Sequence, residues 1–164
     1  MSTAINFEIG QRVMVPMRGL CSVEAVEEET MLGQTLRFVH LKPTRGKGII
    51  KVPASQLEEQ GVRPLVDKSE VIEVLEGEHE VEDHSKVESY DRLERWTEMM
   101  RSGDYGTRIQ VLREMALVEK KDSLDDQERK FQKQVRLAAR REIESVLNTS
   151  AAGAGRRLNA AIKL

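Results

Sequence analysis

Six basic side chains and no acidic one occupy residues 129–141, where the sequence reads RKFQKQVRLAARR. An α-helix turns about 100° per residue, which places four of these side chains within an arc of about 60°: Arg129, Lys133, Arg136 and Arg140. Phe131 and Val135 lie on the far side of the same helix. Such a stripe predicts contacts with nucleic acid phosphates, which do not depend on base sequence and weaken with salt. The alternative is a solvated face balanced by acidic residues of neighbouring helices.

A second group with reactive side-chain types lies at residues 77–84, GEHEVEDH. His79, His84 and the carboxylates between them are metal-ligand types, but this acidic stretch contains no cysteine and resembles a flexible linker. We therefore predict no metal site and no cofactor. The only cysteine, Cys21, lies in an apolar pattern and is expected to be a small buried residue. No nucleophile stands beside a base, so we predict no catalytic residue and a protein that is not an enzyme.

Composition and charge divide the chain into three parts. Apolar residues make up 39% and aromatic residues 4%, so the core must consist mostly of aliphatic side chains. Residues 1–66 carry a net charge of +1, residues 67–88 of −7 and residues 89–164 of +4, counting Lys, Arg, Asp and Glu. This asymmetry indicates separate partners for the two ends of the chain.

The N-terminal third has a strand pattern. Four apolar or alternating runs at residues 12–15, 20–26, 35–41 and 48–52 are separated by turns that contain glycine or proline. Four short strands in about 50 residues favour a small, strongly bent antiparallel barrel.

From residue 67 onward the pattern is helical. Helices are predicted from Asp67 to Gly77, from Ser85 to Gly103, and over residues 105–120 and 124–147, with capping boxes that begin at Asp67, Ser85 and Ser123. The predicted organisation is a barrel domain (1–66), a short helix with an acidic linker (67–84), a helical domain (85–148) and a flexible or weakly helical tail (149–164). The fold class is α+β, with four to five helices after the barrel.

Several of these motifs together resemble the bacterial CarD/CdnL transcription regulators, whose N-terminal module also occurs in transcription-repair coupling factor. The matching segments are GQRVMVP from residue 10, Gly19-Leu20, Val52-Pro53 and Gly61-Val62-Arg63. In the helical half, RSGDYGTRIQVLREM and SLDDQERKFQKQVRLAARREIESVL are similar to the family's corresponding segments. The resemblance covers about residues 7–148.

The resemblance implies a Tudor/SH3-like barrel that binds the β subunit of RNA polymerase, and a helical domain that contacts promoter DNA near the edge of the transcription bubble. It places polymerase binding at Arg12, Val13, Val15, Arg37, Lys51, Val52 and Pro53. DNA binding, through non-specific backbone contacts, is expected at Tyr90, Arg92, Arg129, Lys133, Arg136 and Arg140. It also implies a monomer in the cytoplasm, associated with the nucleoid. No secretory signal and no membrane-spanning run is evident, so no membrane partner is expected.

The sequence departs from the family at two places. A tryptophan at the family's bubble-edge position would fall at Ser89, whereas the only tryptophan is Trp96, two helical turns later. Trp96 is then either a core residue or, like Tyr90, a stacking platform for a base. The acidic run at residues 27–29 replaces a position that is often basic, although Lys51 keeps a basic residue before Val52-Pro53. The alternative function is a protein-interaction module of the same fold that does not stabilise open promoters.

Overall fold

The computed structural model describes residues 7–163. Five β-strands come first and five α-helices follow, so the predicted α+β class is confirmed. We call residues 7–66 the sheet region and residues 67–163 the helical region. Among the described residues, none of the helices has both the length and the apolar composition that crossing a bilayer requires.

The sheet is antiparallel and has the order β4-β3-β2-β1-β5. Its strands are β1 (Arg12–Val15), β2 (Gly19–Met31), β3 (Gln34–Pro43), β4 (Ile50–Pro53) and β5 (Arg63–Pro64). A 3-10 helix, Ala54–Gln56, follows β4 directly. All four predicted strands are present, and β2 and β3 extend further into a long hairpin. The two-residue strand β5 was not predicted, because a pair of residues carries no periodic pattern.

Alternation along β1 divides its side chains between two cores. Val13 and Val15 point into the apolar core of the sheet region. Met14 lies on the opposite face and forms a small cluster with Leu20 and with Ala138 of the helical region. Successive residues of a strand face opposite sides, so this four-residue strand serves both cores.

A β-bulge changes the facing of β2 partway along the strand. The register with β3 shifts between Val23 and Ala25, so that one residue of β2 is left without an opposing partner. Strict alternation from Leu20 would put Val26 on the face of Leu20, but Val26 packs against the sheet core together with Val23. One extra residue reverses the inward and outward positions that follow it.

Cys21 is completely buried in the sheet core, as predicted. Desolvation raises the pKa of its thiol to about 11, although Arg18 opposes the shift. The thiol is therefore neutral at physiological pH, and Cys21 packs as a small apolar side chain.

The helices are α1 (Lys68–Glu76), α2 (Ser89–Met100), α3 (Tyr105–Lys121), α4 (Asp126–Leu147) and α5 (Ala151–Ile162). Two of the three predicted capping boxes were misplaced. The α2 helix begins after Glu88, not at Ser85, and α4 has its capping box at Asp125 with Glu128. Asp67 does stand at the N-cap of α1, but its side chain makes no capping hydrogen bond.

The C-terminal segment corrects a second expectation. Residues 149–164 were expected to be flexible or weakly helical, but residues 151–162 form α5. Ser150 caps this helix by accepting a hydrogen bond from the backbone N–H of Gly153. Ala154, Leu158 and Ile162 are buried in the helical core. Apolar burial at intervals of four residues thus stabilises a helix that the two glycines Gly153 and Gly155 would otherwise weaken.

The α3 helix is the centre of the helical region and packs against α1, α2, α4 and α5. Nine of its residues are buried, and these occupy more than one face of the helix. They include the charged residues Arg108, Arg113 and Glu114. A helix buried on several sides has no single apolar stripe, so its polar residues must find partners inside the protein.

A buried ion pair joins the first turns of α2 and α4. The guanidinium group of Arg92 donates from Nε to Glu128 Oε2 at 2.9 Å and from Nη2 to Glu128 Oε1 at 2.8 Å. It also donates to the carbonyl oxygens of Val87 and Ser123. The exposed fractions of the Arg92 and Glu128 side chains are 4% and 0%. This geometry is the bidentate pairing that makes a buried ion pair tolerable.

A second buried pair joins the sheet region to the helical region. Arg63 of β5 donates from both terminal nitrogens to Glu142 of α4, at 2.6 and 2.8 Å, and also donates to the carbonyl oxygen of Gly103. Nearby, Gly61 and Gly103 bring the two backbones so close that a Cβ on Gly103 would clash with the carbonyl of Gly61. The two regions therefore share one rigid seam.

We expect Arg92→Ala to lower the free energy of unfolding by about 3–5 kcal/mol, because it leaves the buried Glu128 carboxylate unpaired. Arg101→Ala is the matched control, since it breaks an exposed pair with Glu98 and should cost less than about 1 kcal/mol. Urea unfolding followed by circular dichroism measures both. Equal costs for the two variants would contradict the assigned role of Arg92.

Gly103→Ala and Gly33→Ala test the close approach of the two backbones. Both glycines have positive φ, +68° and +77°, so alanine should cost about 1–2 kcal/mol of backbone strain at either position. A Cβ on Gly33 meets nothing, whereas one on Gly103 meets Gly61. Gly103→Ala should therefore cost about 1–3 kcal/mol more in urea unfolding. A difference close to zero would show that the seam is loose.

Candidate functional site

The β4 strand forms an edge of the sheet and pairs only with β3 among the strands of the described residues. Among the helices of residues 7–163, none packs extensively on this strand. At the other edge, β5 is only two residues long and is occupied by the seam through Arg63. An edge strand presents backbone N–H and C=O groups that have no partner within the sheet. Within residues 7–163, β4 therefore offers a short backbone edge that an extended segment of another chain could join.

Three of the residues assigned to polymerase binding lie beside this edge. Lys51 and Pro53 belong to β4, and Arg37 is exposed on the neighbouring β3. The ammonium group of Lys51 pairs with Glu29 of β2 and lies 4.5 Å from the ring centre of Phe38. The acidic run of β2 therefore neutralises part of the charge that Lys51 would otherwise present.

The other four residues assigned to polymerase binding do not present their side chains beside the β4 edge. The side chains of Val13, Val15 and Val52 lie in the sheet core, with 0%, 7% and 2% exposure. They shape the strands that a partner would meet, but their side chains do not reach the surface. Arg12 lies at the other side of the sheet, where its Nη1 donates to Ser145 of α4 at 3.0 Å. The side chain of Arg12 therefore contacts the helical region and lies away from the β4 edge.

The basic stripe of α4 forms a continuous face in the structure. Lys133, Arg136 and Arg140 line a groove of about 280 Å³ between α4 and α5. The opposite wall of this groove includes Gly155, Leu158 and Asn159 of α5. We call these three basic residues and Arg129 the α4 basic face. The contribution of α5 to this groove was not predicted from sequence, because the C-terminal segment was expected to be flexible or only weakly helical.

The four residues of the α4 basic face differ in how far their charges are neutralised. Arg129 lies one turn before Lys133 and pairs with Asp126, while its Nη1 donates to the carbonyl of Leu124. Arg136 donates to the neutral side chain of Asn159. Arg140 Nε lies 3.8 Å from Glu144 Oε2, beyond hydrogen-bond distance. Lys133 is exposed at the centre of this face. Within residues 7–163 the acidic partners of this face are Asp126 and Glu144, which lie at its two ends and belong to α4 itself and not to neighbouring helices.

The aromatic and basic residues of α2 divide into surface and core. Tyr90 is 75% exposed in the first turn of α2. Trp96 is completely buried and its Nε1 donates to Glu114 at 3.2 Å, so the core interpretation of Trp96 is confirmed. Arg92 was assigned to DNA binding, but its guanidinium group is enclosed by Glu128 and two backbone carbonyls. That assignment is corrected: Arg92 holds α2 on α4.

The segment between α1 and α2 is also ordered by the helical core. His84 is buried, its Nε2 lies 3.1 Å from Glu114 Oε1, and its ring meets Trp96 edge to face. Glu82, His84 and Glu114 each offer one atom that could bind a metal ion, and these three atoms lie within 4.8 Å of one another. Both oxygens of Glu114 already have partners, in His84 and Trp96. This geometry is that of a buried hydrogen-bond network that orients Trp96, with Glu114 supplied from α3.

Two comparisons with known proteins agree with this architecture. Residues 7–66 match the family model described as the CarD-like/TRCF RID domain. A Bacillus subtilis (strain 168) protein named "Putative transcription factor YdeB" is 24% identical over 132 residues, which cover 76% of this chain and 82% of the relative. The alignment is too long to lie within the sheet region alone, so this similarity extends into the helical region. Residues 7–66 are therefore similar to the CarD-like/TRCF RID domain.

Proposed function

We propose that this protein regulates transcription initiation by binding the β subunit of RNA polymerase through the sheet region and promoter DNA through the helical region. The observation that carries the proposal is the open β4 edge within a region similar to the CarD-like/TRCF RID domain. The name of the Bacillus subtilis relative supports the same class of function. The domain boundaries predicted above, 1–66 and 85–148, correspond to these two binding activities.

Polymerase binding at β4 would occur by addition of a strand to the sheet. In this mode of recognition, backbone hydrogen bonds provide affinity and the side chains beside the edge provide specificity. Lys51 and Arg37 would supply the charges, and Pro53 limits the edge to a few residues. The core positions Val13, Val15 and Val52 contribute by holding the strands in place.

DNA binding would occur at the α4 basic face. Lys133 and Arg136 have no acidic partner among their described contacts, and both border an open groove. Such side chains can approach phosphates without first breaking an ion pair. Tyr90 lies in the first turn of α2, and the Arg92–Glu128 pair joins that turn to the first turn of α4. Contacts of this kind position a protein on DNA without reading its bases.

The burial of Trp96 favours a second candidate function. With its indole inside the core, this tryptophan is not available to contact a base, and Ser89 stands at the position where the family resemblance predicts a tryptophan. A protein of this kind would bind polymerase without stabilising the open promoter. Tyr90, which is exposed, is then the residue that separates the two candidates.

The polymerase proposal is tested with the full chain and the purified lobe of the β subunit. We expect Lys51→Glu to weaken binding about tenfold, because it reverses a charge beside the β4 edge. Lys47→Glu changes an exposed charge in the turn before β4 and should leave affinity within about twofold. Surface plasmon resonance measures both. Absence of wild-type binding, or equal losses for both variants, would count against binding at β4.

The DNA proposal is tested by the salt dependence of duplex binding. Lys133→Gln and Arg136→Gln should each weaken binding and lower the slope of log affinity against log salt by about one. Arg101→Gln removes an equal charge from the exposed end of α2 and is the control. Fluorescence anisotropy with a duplex of arbitrary sequence measures all three. If all three variants keep the wild-type slope, the α4 basic face does not contact phosphate.

In vitro transcription separates the two candidate functions. If the protein stabilises open promoters itself, we expect the wild type to raise open-complex lifetime and Tyr90→Ala to abolish the effect. If it only binds polymerase, the wild type should have no effect and Ser89→Trp should gain one. Ser89→Ala is the control, because it shows whether loss of the serine alone changes the open-complex lifetime.

A further inference from the structure

A cleft between the sheet region and α4 gathers three arginines that come from distant parts of the sequence. Its volume is about 240 Å³, and its lining includes Arg12 of β1, Arg45 of the turn after β3 and Arg141 of α4. Thr44, Ser145 and Glu144 also line it. At about 30 Å³ per water molecule, the cleft has room for a small hydrated anion.

The charges in this cleft do not cancel. Three guanidinium groups face one carboxylate, Glu144, which is also the nearest acid to Arg140 outside the cleft. The Arg45–Glu144 distance is 3.9 Å and the Arg140–Glu144 distance is 3.8 Å, so neither pair forms a hydrogen bond. Glu144 is therefore shared between two arginines and bonded to neither.

Hydrogen-bonding capacity in the cleft is also left unused. Within residues 7–163, Arg141 Nε is a buried donor that has no hydrogen-bond partner, whereas Glu144 Oε2 also has none but is an acceptor that would repel an anion. Arg12 uses one terminal nitrogen for Ser145 and has further N–H donors available. Desolvation, together with the like charges of Arg45 and Arg140, lowers the pKa of Arg141. Like charges crowded around unfilled donors are stabilised by an anion.

We propose that this cleft is a phosphate-binding site in which Arg12, Arg45 and Arg141 donate hydrogen bonds to one phosphate group. The planar, multi-donor guanidinium group suits phosphate oxygens, and the hydroxyl group of Ser145, which accepts from Arg12, can add a neutral donor. The phosphate belongs either to a free phosphate compound or to a nucleic acid backbone. The site is distinct from the α4 basic face and does not rest on the proposed DNA contact there.

A phosphate in the cleft would join the two regions of the molecule. Arg12 and Arg45 belong to the sheet region, whereas Arg141 belongs to α4. An anion held by both adds a link to the seam formed by Arg63 and Glu142. A ligand that binds only the folded arrangement raises its stability by RT ln(1 + L/Kd), where L is the free ligand concentration, so the stabilisation grows with ligand concentration.

The test uses the full chain with two probes, sodium pyrophosphate and a short DNA duplex, in isothermal titration calorimetry. We expect Arg141→Gln and Arg45→Gln each to weaken, about tenfold, the binding of whichever of the two probes the wild-type protein binds. Lys47→Gln removes an equal charge beside the cleft but outside it and should change affinity less than twofold. Glu144→Gln should tighten binding severalfold, since it removes the only competing negative charge in the cleft.

The probes identify the source of the phosphate. Pyrophosphate binding that depends on Arg141 supports a free phosphate compound, and duplex binding alone that depends on Arg141 supports a nucleic acid backbone. If neither probe depends on Arg141 and Arg45, or if Lys47→Gln weakens binding as much, the proposal is overturned. Thermal unfolding of each variant shows whether it is folded. If no binding in the cleft is found but Lys133→Gln still weakens duplex binding and lowers its salt dependence, the cleft proposal fails and the proposed DNA contact at the α4 basic face stands.

Discussion

The buried carboxylate of Glu142 is the interaction on which the arrangement of the two regions depends. It receives both terminal nitrogens of Arg63 from β5 and the backbone N–H of Val66, and it lies 3.5 Å from Arg108 of the central helix. An isolated carboxylate at this position would be strongly unfavourable, so its partners must be present for the seam to form. Arg108 is fully buried and desolvation lowers its pKa to about 10, which makes the nearby carboxylate necessary for its charge as well.

This seam determines which surfaces remain free for partners. It uses the β5 edge of the sheet and the last third of α4, and it leaves the β4 edge and the groove between α4 and α5 open. A partner bound at β4 and a partner bound along α4 would therefore be held in one fixed relation by a rigid body. That relation is what a protein needs if it is to connect a polymerase surface with nearby DNA, as we propose.

Charge in this molecule is divided between structural and accessible roles, and burial decides which is which. Arg92 and Arg108 are buried and Arg63 is partly buried, each beside Glu128 or Glu142, whereas Lys133 and Arg136 face a groove. Arg92 and Arg136 are both arginines on helices rich in charge, and the sequence shows no difference in kind between them. A buried arginine must be paired, since an unpaired charge in the core is too costly. The surface stripe has no such requirement and can exchange its partners.

Local pattern determined the α+β class, four of the five strands and the approximate span of the helices up to residue 147, because alternation and helical periodicity record which side of each element is buried. The burial of Cys21 and the position of the α4 basic face followed from the same periodicities. Only the tertiary structure decided the rest. The β2 bulge, the α5 helix and the burial of α3 on several sides depend on neighbours from distant segments. The cleft of Arg12, Arg45 and Arg141 was hidden for the same reason: its residues lie up to 129 positions apart, and only the packing of α4 against the sheet brings their charges together.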